Sequence, residues 1–177
     1  LSIQKGFAQF FPLEVMGSHV GPATCHITGR RLAMETRAGV ALFGHMGVEV
    51  DLRQESDADK ATLRAAIALY KAQRALIHSG TVVRFDTAPE IDAFAVIAAD
   101  RSAALVSCAL VASPRAALPG LLRFSGLDCD RLYRMRQVWP TASDTMTVSG
   151  DVLMAAGWTL PRLQPQSLIV LELQATD

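Results

Sequence analysis

The amino-acid sequence predicts a multidomain protein in which an α/β part is followed by an antiparallel all-β part. Residues before Gly80 alternate helical patterns with short apolar strand patterns, whereas the rest forms strand-length runs separated by proline and glycine. The chain has 177 residues, of which 50% are hydrophobic and 19% charged, a composition typical of compact globular domains. We therefore predict domains at 1–80 and 81–177.

The first domain is predicted to alternate helices with strands. The elements, in chain order, are a helix over 1–11, a strand over 14–17 with a Gly/Pro loop over 18–22, a helix over 28–43, a strand over 47–52 and a helix over 57–78. Pro12 ends the first helix, Gly44 ends the second with a left-handed backbone, and Ser56 caps the third through Asp59.

Strands that alternate with helices pair in parallel, because each return to a parallel neighbour needs a crossover helix. Two parallel strands need neighbours at both edges and cover on both faces. The first domain is therefore predicted to be the end of a larger barrel or sheet.

The second domain is predicted to be an antiparallel β-sandwich. The strand-length runs cover 81–85, 91–99, 104–111, 121–124, 131–138 and 168–173. Proline separates several of them, as in the predicted turn Leu118-Pro119-Gly120.

Charge, cysteine content and hydropathy exclude several functional classes. Seventeen basic residues balance seventeen acidic ones without a charged block, so neither a nucleic acid nor an anionic membrane is an expected partner. Three scattered cysteines do not form a disulfide framework, which favours a cytoplasmic location. The sequence begins without a signal-peptide pattern, and its apolar runs are much shorter than the ~20 residues of a membrane-spanning helix.

Few residues suggest catalytic or metal chemistry. His19, Cys25 and His26 lie close together, but their spacing matches no zinc pattern, so neither a metal nor a cofactor is expected. Glu49 and Asp51 would lie on one face of a strand, about 7 Å apart, as paired glycosidase carboxylates can. Such a pair near the end of a parallel strand is more often used to anchor a loop or bind substrate.

Arginines and aromatic residues leave two interpretations open. Arg30, Arg31 and Arg37 share one predicted helix, where they form either a solvated, salt-bridged face or a substrate or interface contact. The aromatic side chains could stack on sugars, but their positions in strands favour core packing. These aromatic residues are Tyr70, Phe94, Tyr133, Trp139 and Trp158.

Several motifs taken together are specific in order and spacing. They are Glu14-Val15-Met16-Gly17-Ser18-His19-Val20, Thr28-Gly29-Arg30-Arg31, Ala41-Leu42-Phe43-Gly44-His45-Met46-Gly47-Val48-Glu49-Val50-Asp51-Leu52 and, later, Gly126-Leu127-Asp128. This series resembles the C-terminal third of bacterial α-galactosidases of glycoside hydrolase family 36, over nearly the whole chain.

The resemblance implies the last two strands and helices of a (β/α)8 TIM barrel, followed by an antiparallel β-sandwich. It also implies a retaining hydrolase that removes terminal α-linked galactose from oligosaccharides with one Asp as nucleophile and another as acid/base. The Lys-Trp-Asp and Ser-Asp-Asn-Thr-Asp type motifs that carry these residues do not occur here, so no catalytic residue is assigned. The chain alone is expected to be inactive, and the enzyme is expected to form a homo-oligomer.

By the same resemblance, Ser18, His19 and Glu49 would lie at the barrel rim, with His19 as the best candidate for approaching substrate. His26 and Arg30 would support the rim or face a neighbouring subunit. Two alternatives stay open: a free-standing β-sandwich that serves as an interaction or carbohydrate-binding module, and a relative that transfers galactose. A free-standing domain should bury Phe7, Phe10 and Phe43, whereas a segment of a larger protein should leave an apolar seam.

Overall fold

A computed structural model describes residues 1–114 and 120–176. The chain divides into two compact units, Leu1–His78 and Ser79–Asp177. None of the described helices is both long and apolar enough to cross a bilayer.

The first unit contains three helices and a pair of parallel strands. The elements are α1 (Ser2–Phe7), a 3-10 turn (Leu13–Val15), β1 (Gly17–Val20), α2 (Met34–Ala41), β2 (His45–Val48) and α3 (Asp57–Ser79). Strands β1 and β2 pair in parallel, with His19 opposite Gly47, and α2 packs against β1. The predicted alternation and the parallel pairing are confirmed, while the two-stranded sheet by itself is not a barrel.

Helix α3 has the predicted start. The Ser56 hydroxyl accepts a hydrogen bond from the backbone N–H of Asp59 at 3.1 Å and donates one to the Asp59 carboxylate at 2.6 Å. This reciprocal bonding satisfies an N–H group that the first helical turn leaves unpaired. The cap and the long apolar face together explain why this helix could be located from sequence.

The other elements of the first unit differ from prediction. Helix α1 ends at Phe7, four residues early, and the strand expected over 14–17 lies at Gly17–Val20, after the 3-10 turn. This shift has a backbone cause, because the N–H of His45 donates to Met16 O at 2.7 Å and so fixes where the parallel pairing begins. Ser18 and His19 therefore belong to a strand and not to a loop.

The second helix begins six residues later than predicted. Backbone groups of residues 24–31 bond to one another, with Cys25 N donating to Arg30 O at 2.9 Å and a bridge joining Thr24 to Arg31. Gly29 permits this tight turn with a left-handed φ of 67°. Arg30 consequently lies in the turn before α2 and not on the helix.

The second unit is built on a six-stranded antiparallel sheet. Its strands are β3 (Thr81–Arg84), β4 (Ile91–Ile97), β5 (Ala103–Leu110), β7 (Leu132–Trp139), β8 (Met146–Ser149) and β10 (Ser167–Thr176), in the order β3-β4-β5-β10-β7-β8. Strands β6 (Leu121–Leu122) and β9 (Trp158–Thr159) form a second, two-stranded sheet, and helix α4 (Gly150–Ala155) lies between β8 and β9 in the chain. This architecture is consistent with the predicted β-sandwich.

Sequence patterns did not reveal β8, α4 or β9, and the strand expected over 121–124 is only two residues long. All three elements are short, and β9 pairs with β6, which lies far from it in the sequence. The predicted turn at Leu118 and Pro119 lies outside the described residues.

One face of the large sheet carries a continuous hydrophobic core. Alternate residues of β4, β5, β7 and β10 contribute to it, and Leu122, Phe124, Leu153 and Leu160 cover it. Tyr133 and Trp139 are buried and Trp158 packs partly against the core, as predicted for aromatic residues in this domain.

The buried Tyr133 hydroxyl ties two loops to the sheet. It donates to Arg101 O at 2.8 Å and accepts from Asp128 N at 3.0 Å. Arg101 has a left-handed φ of 58°, a conformation that favours glycine, so the hydroxyl stabilises a strained turn.

We expect Tyr133→Phe to lower the free energy of unfolding by about 1–3 kcal/mol, because it leaves both backbone groups without their buried partner. Urea unfolding followed by tryptophan fluorescence measures the change. Arg134→Ala, on the exposed side of the same strand, serves as the control and should stay within about 0.5 kcal/mol of the parent protein. Equal stability of the two variants would contradict this prediction.

Candidate functional site

The carboxyl ends of β1 and β2 meet at one edge, because the strands are parallel. Side chains alternate along β1: Ser18 and Val20 are buried, whereas Gly17 and His19 are exposed. Ser18 faces α2, where its hydroxyl bonds to Val40 O at 3.5 Å. His19 therefore lies on the opposite face of the strand pair, which the described residues of this unit leave accessible.

The His19 ring rests against two glycines, one on each strand. A Cβ atom built on Gly47 would overlap His19 Cδ2, whereas one built on Gly17 would lie 3.5 Å from Cε1. The ring therefore occupies space that a side chain at position 47 would need.

Glu49 follows β2 directly and faces the same ring. Its Oε1 lies 3.9 Å from His19 Nδ1, too far for a direct hydrogen bond but close enough for electrostatic attraction when the imidazole is protonated. The two side chains are 49% and 67% exposed, so a ligand can reach both. Of the five predicted site residues, these two are brought together.

The Ser18 hydroxyl hydrogen-bonds to neighbouring elements of the fold. Its hydroxyl also accepts a hydrogen bond from the Gln4 side chain, and that amide reaches Val40 O at 3.4 Å. Buried beneath α2, Ser18 joins the first helix to the strand and does not share the accessible face with His19.

His26 and Arg30 lie in the exposed turn before α2. The Arg30 backbone N–H bonds to Thr28 Oγ1 at 3.4 Å, and its carbonyl accepts from Cys25 N. Neither side chain makes a described contact with His19 or Glu49, so the structure does not unite all five predicted residues.

The suggested carboxylate pair does not form on one strand face. Strand β2 ends at Val48, so Glu49 and Asp51 are not held in strand alternation. Asp51 instead anchors a turn, accepting from the Arg53 guanidinium at 2.9 Å and from Arg53 N at 3.0 Å. The guanidinium lowers the pKa of the Asp51 carboxyl. Of the two roles expected for such a residue, anchoring a loop and binding substrate, the Asp51 side chain has the first.

A buried ion pair behind the edge was missed at the sequence level. Arg37 makes two parallel hydrogen bonds of 3.0 Å to Glu55, and its Nη1 also donates to Gly21 O at 2.8 Å. Both side chains are more than 90% buried. Arg37 thus joins α2 to the segment before α3 and to the loop after β1. Helical spacing placed it on a charged face, but nothing local indicated that Glu55 would meet it.

Within the described residues, Asp128, Cys129 and Asp130 form the one group of at least three potential metal ligands close enough to share an ion. Asp128 already pairs with Arg131 at 3.5 Å, and Cys129 and Asp130 are exposed. His19, Cys25 and His26, which the sequence places close together without a zinc pattern, are not among the residues of this group.

The three thiols occupy different environments. A hydrogen bond from the Thr28 side chain lowers the pKa of Cys25, whereas burial raises the pKa of Cys108 to about 12. Cys129 is exposed. Because the thiolate is the nucleophile, both pKa and accessibility control reactivity.

We expect Glu55→Gln to destabilise the protein by about 3–5 kcal/mol, because it leaves the buried Arg37 guanidinium without a compensating charge. Urea unfolding monitored by far-UV circular dichroism measures the loss. Asp51→Asn, which weakens the partly exposed pairing with Arg53, is the comparison variant and should lower the midpoint much less than Glu55→Gln. A neutral Glu55→Gln variant would refute the structural role of the buried pair.

We expect iodoacetamide at neutral pH to modify Cys25 and Cys129 in the native protein and to leave Cys108 intact. The lowered pKa of Cys25 gives it more thiolate, so its alkylation should persist to lower pH than that of free cysteine. Peptide mass spectrometry reads each site. Thr28→Val should shift the Cys25 profile to higher pH and leave that of Cys129 unchanged, and identical profiles in parent and variant would contradict the role of Thr28.

Comparison with known proteins relates both units to one family. Residues 1–80 match the Melibiase family, and residues 91–173 match the glycosyl hydrolase family 36 C-terminal domain. An α-galactosidase of Escherichia coli is 35% identical over 98% of this chain, which corresponds to 27% of that protein.

Solved structures agree with the sequence matches. The galactosidase domain of the α-galactosidase-sucrose kinase AgaSK has a TM-score of 0.88 and 29% identity, covering 98% of this chain and 24% of that one. A variant of the α-galactosidase AgaA from Geobacillus stearothermophilus, solved in complex with raffinose, has a TM-score of 0.85 and 32% identity, with the same coverages.

The chain spans about a quarter of the length of these relatives. The two family matches follow one another along the chain and together include both units. The chain therefore belongs to glycoside hydrolase family 36 and corresponds to a C-terminal segment of its α-galactosidases.

Proposed function

We propose that this chain is the C-terminal segment of a retaining α-galactosidase that hydrolyses terminal α-linked galactose from oligosaccharides. The observation that carries the proposal is the likeness of both units to successive parts of α-galactosidases. The catalytic Asp pair implied by the family resemblance belongs to motifs that this sequence does not contain.

In this proposal, residues 1–80 form the end of a (β/α)8 barrel and residues 81–177 form the C-terminal β-sandwich. The parallel β1–β2 pair and the connecting helix α2 support the barrel assignment, because a parallel pair joined through a helix is the repeating unit of that fold. Helices cover the outer face of barrel strands. The face of β1 that contacts α2 would thus point outward, and the face that carries His19 would point into the barrel.

This orientation supports a substrate-proximal role for His19 and Glu49. Barrel active sites lie at the carboxyl ends of the strands, and both residues lie at that edge of the β1–β2 pair. Ser18 would support the strand from behind, while the turn with His26 and Arg30 would contribute to the rim or face another subunit.

An exposed apolar surface in the first unit supports a segment of a larger protein over a free-standing module. Phe43 is buried, but Phe10 is 81% exposed, and Ile3, Phe11 and Val15 are exposed as well. A free-standing domain is expected to bury Phe10, whereas a segment of a larger protein exposes apolar side chains that the rest of that protein covers. The remainder of the barrel would cover them in the complete enzyme.

Two further features complete the proposal. We place the enzyme in the cytoplasm, which the three free cysteines support. We also expect homo-oligomers, for which exposed apolar surface outside the barrel contacts would serve as the interface.

The full-length gene product should hydrolyse p-nitrophenyl α-galactoside and release galactose from raffinose, whereas residues 1–177 alone should give no turnover. Chromogenic assays measure the rates, and proton NMR of the first sugar product should show the α-anomer, as retention requires. The β-galactoside analogue is the control substrate.

Turnover by residues 1–177 alone would contradict the assignment of the catalytic pair to other parts of the enzyme. Products that carry galactose on a second sugar, in place of free galactose, would favour the galactosyl transferase alternative. Sugar binding by residues 1–177 together with an inactive full-length product would favour the free-standing binding module.

A further inference from the structure

The His19 ring of β1 lies over Gly47 of β2 and occupies the space that a side chain at position 47 would need. Besides overlapping Cδ2, a Cβ atom at position 47 would lie 2.9 Å from His19 Nε2. Real Cβ atoms do not approach other heavy atoms this closely, so a side chain at 47 and the observed ring position exclude each other.

The half-exposed His19 ring is the group that would move. It is the end of a side chain with rotatable bonds, whereas Gly47 is held in the β1–β2 pairing. A methyl group at position 47 should therefore displace the imidazole and preserve the strands.

The ring has one nitrogen directed to Glu49 and one without a protein partner. Nδ1 lies 3.9 Å from Glu49 Oε1, and Nε2 has no hydrogen-bond partner among the described residues. An imidazole nitrogen either donates to or accepts from a hydroxyl group, depending on tautomer. Nε2 is thus suited to bind a sugar hydroxyl at the carboxyl edge of the strands.

We propose that Gly47 is a positioning residue, which holds the His19 imidazole beside Glu49 so that Nε2 hydrogen-bonds a hydroxyl group of the bound galactoside. This inference rests on the proposed function and deepens it. His19 would contact substrate directly, and Gly47 would act only through the ring.

A double-mutant cycle in the full-length enzyme tests the coupling. Gly47→Ala and His19→Ala should each lower kcat/KM for p-nitrophenyl α-galactoside about tenfold, as expected for loss of one positioned hydrogen bond. In the His19→Ala background, Gly47→Ala should change kcat/KM less than about twofold, because no ring remains to be displaced.

Gly17→Ala is the matched control. It also adds a methyl group to a glycine beside the ring, but the added atom meets Cε1 at 3.5 Å, an ordinary contact distance. Its kcat/KM should stay within about twofold of the wild type. If Gly47→Ala behaves like Gly17→Ala in an active enzyme, the inference is overturned and the proposed function stands.

Deoxygalactosides provide a readout that a purely structural role would not change. The wild-type enzyme should discriminate against the one aryl α-galactoside that lacks the hydroxyl bound by His19. Gly47→Ala and His19→Ala should lose the same discrimination, and retention of the full wild-type pattern by both would overturn the inference.

Folding failure of Gly47→Ala would not leave the question open. In that case His19→Ala, which removes a half-exposed side chain, decides: unchanged kcat/KM overturns the inference, and a tenfold loss with lost deoxy discrimination supports it. A wild-type enzyme inactive on every α-galactoside would overturn the proposed function and this inference together.

Discussion

The register of the parallel β1–β2 pair is the constraint on which the candidate site depends. Because side chains alternate along a strand, a shift of one residue would bury His19 beneath α2 and expose Ser18. The backbone fixes this register where the pairing begins. Gly44 has a left-handed φ of 136°, and a Cβ atom there would lie 2.7 Å from Met16 O, so glycine allows the chain to turn directly into β2. The orientation of the accessible face follows from this turn.

Buried polar contacts stabilise the loops that surround this edge. The Arg37 guanidinium contacts Glu55 and Gly21 O together, which fixes the start of the loop after β1 relative to the approach to α3. A guanidinium suits this position, because its planar group binds a carboxylate through two parallel bonds while other N–H groups reach a carbonyl. Exposed residues at the edge are thus supported by residues that no ligand would touch.

Sequence alone located the helix whose cap and apolar face lie in one segment, and it misplaced elements whose ends depend on backbone hydrogen bonds outside the helix or strand pattern. Helix α3 was predicted because its Ser56 cap and its apolar face lie within one segment. The predicted start of α2 was wrong because the backbone groups of residues 24–31 hydrogen-bond to one another and therefore do not form helical hydrogen bonds. His19 and Glu49 are site candidates that the family resemblance implies, whereas the space that Gly47 leaves for the ring depends on strand register and has no local signature.

The central place of β10 in its sheet has a consequence for biosynthesis. Strand β10 pairs with β5 on one side and β7 on the other, although it follows both in the sequence. During translation, β3, β4 and β5 can pair in order, but β5 and β7 must each wait with an open edge until Ser167–Thr176 leaves the ribosome. The unpaired N–H and C=O groups of such an edge can hydrogen-bond to a strand of another chain. Until β10 has been synthesised, β5 and β7 therefore each have one unpaired edge, which ribosome-associated chaperones would need to shield.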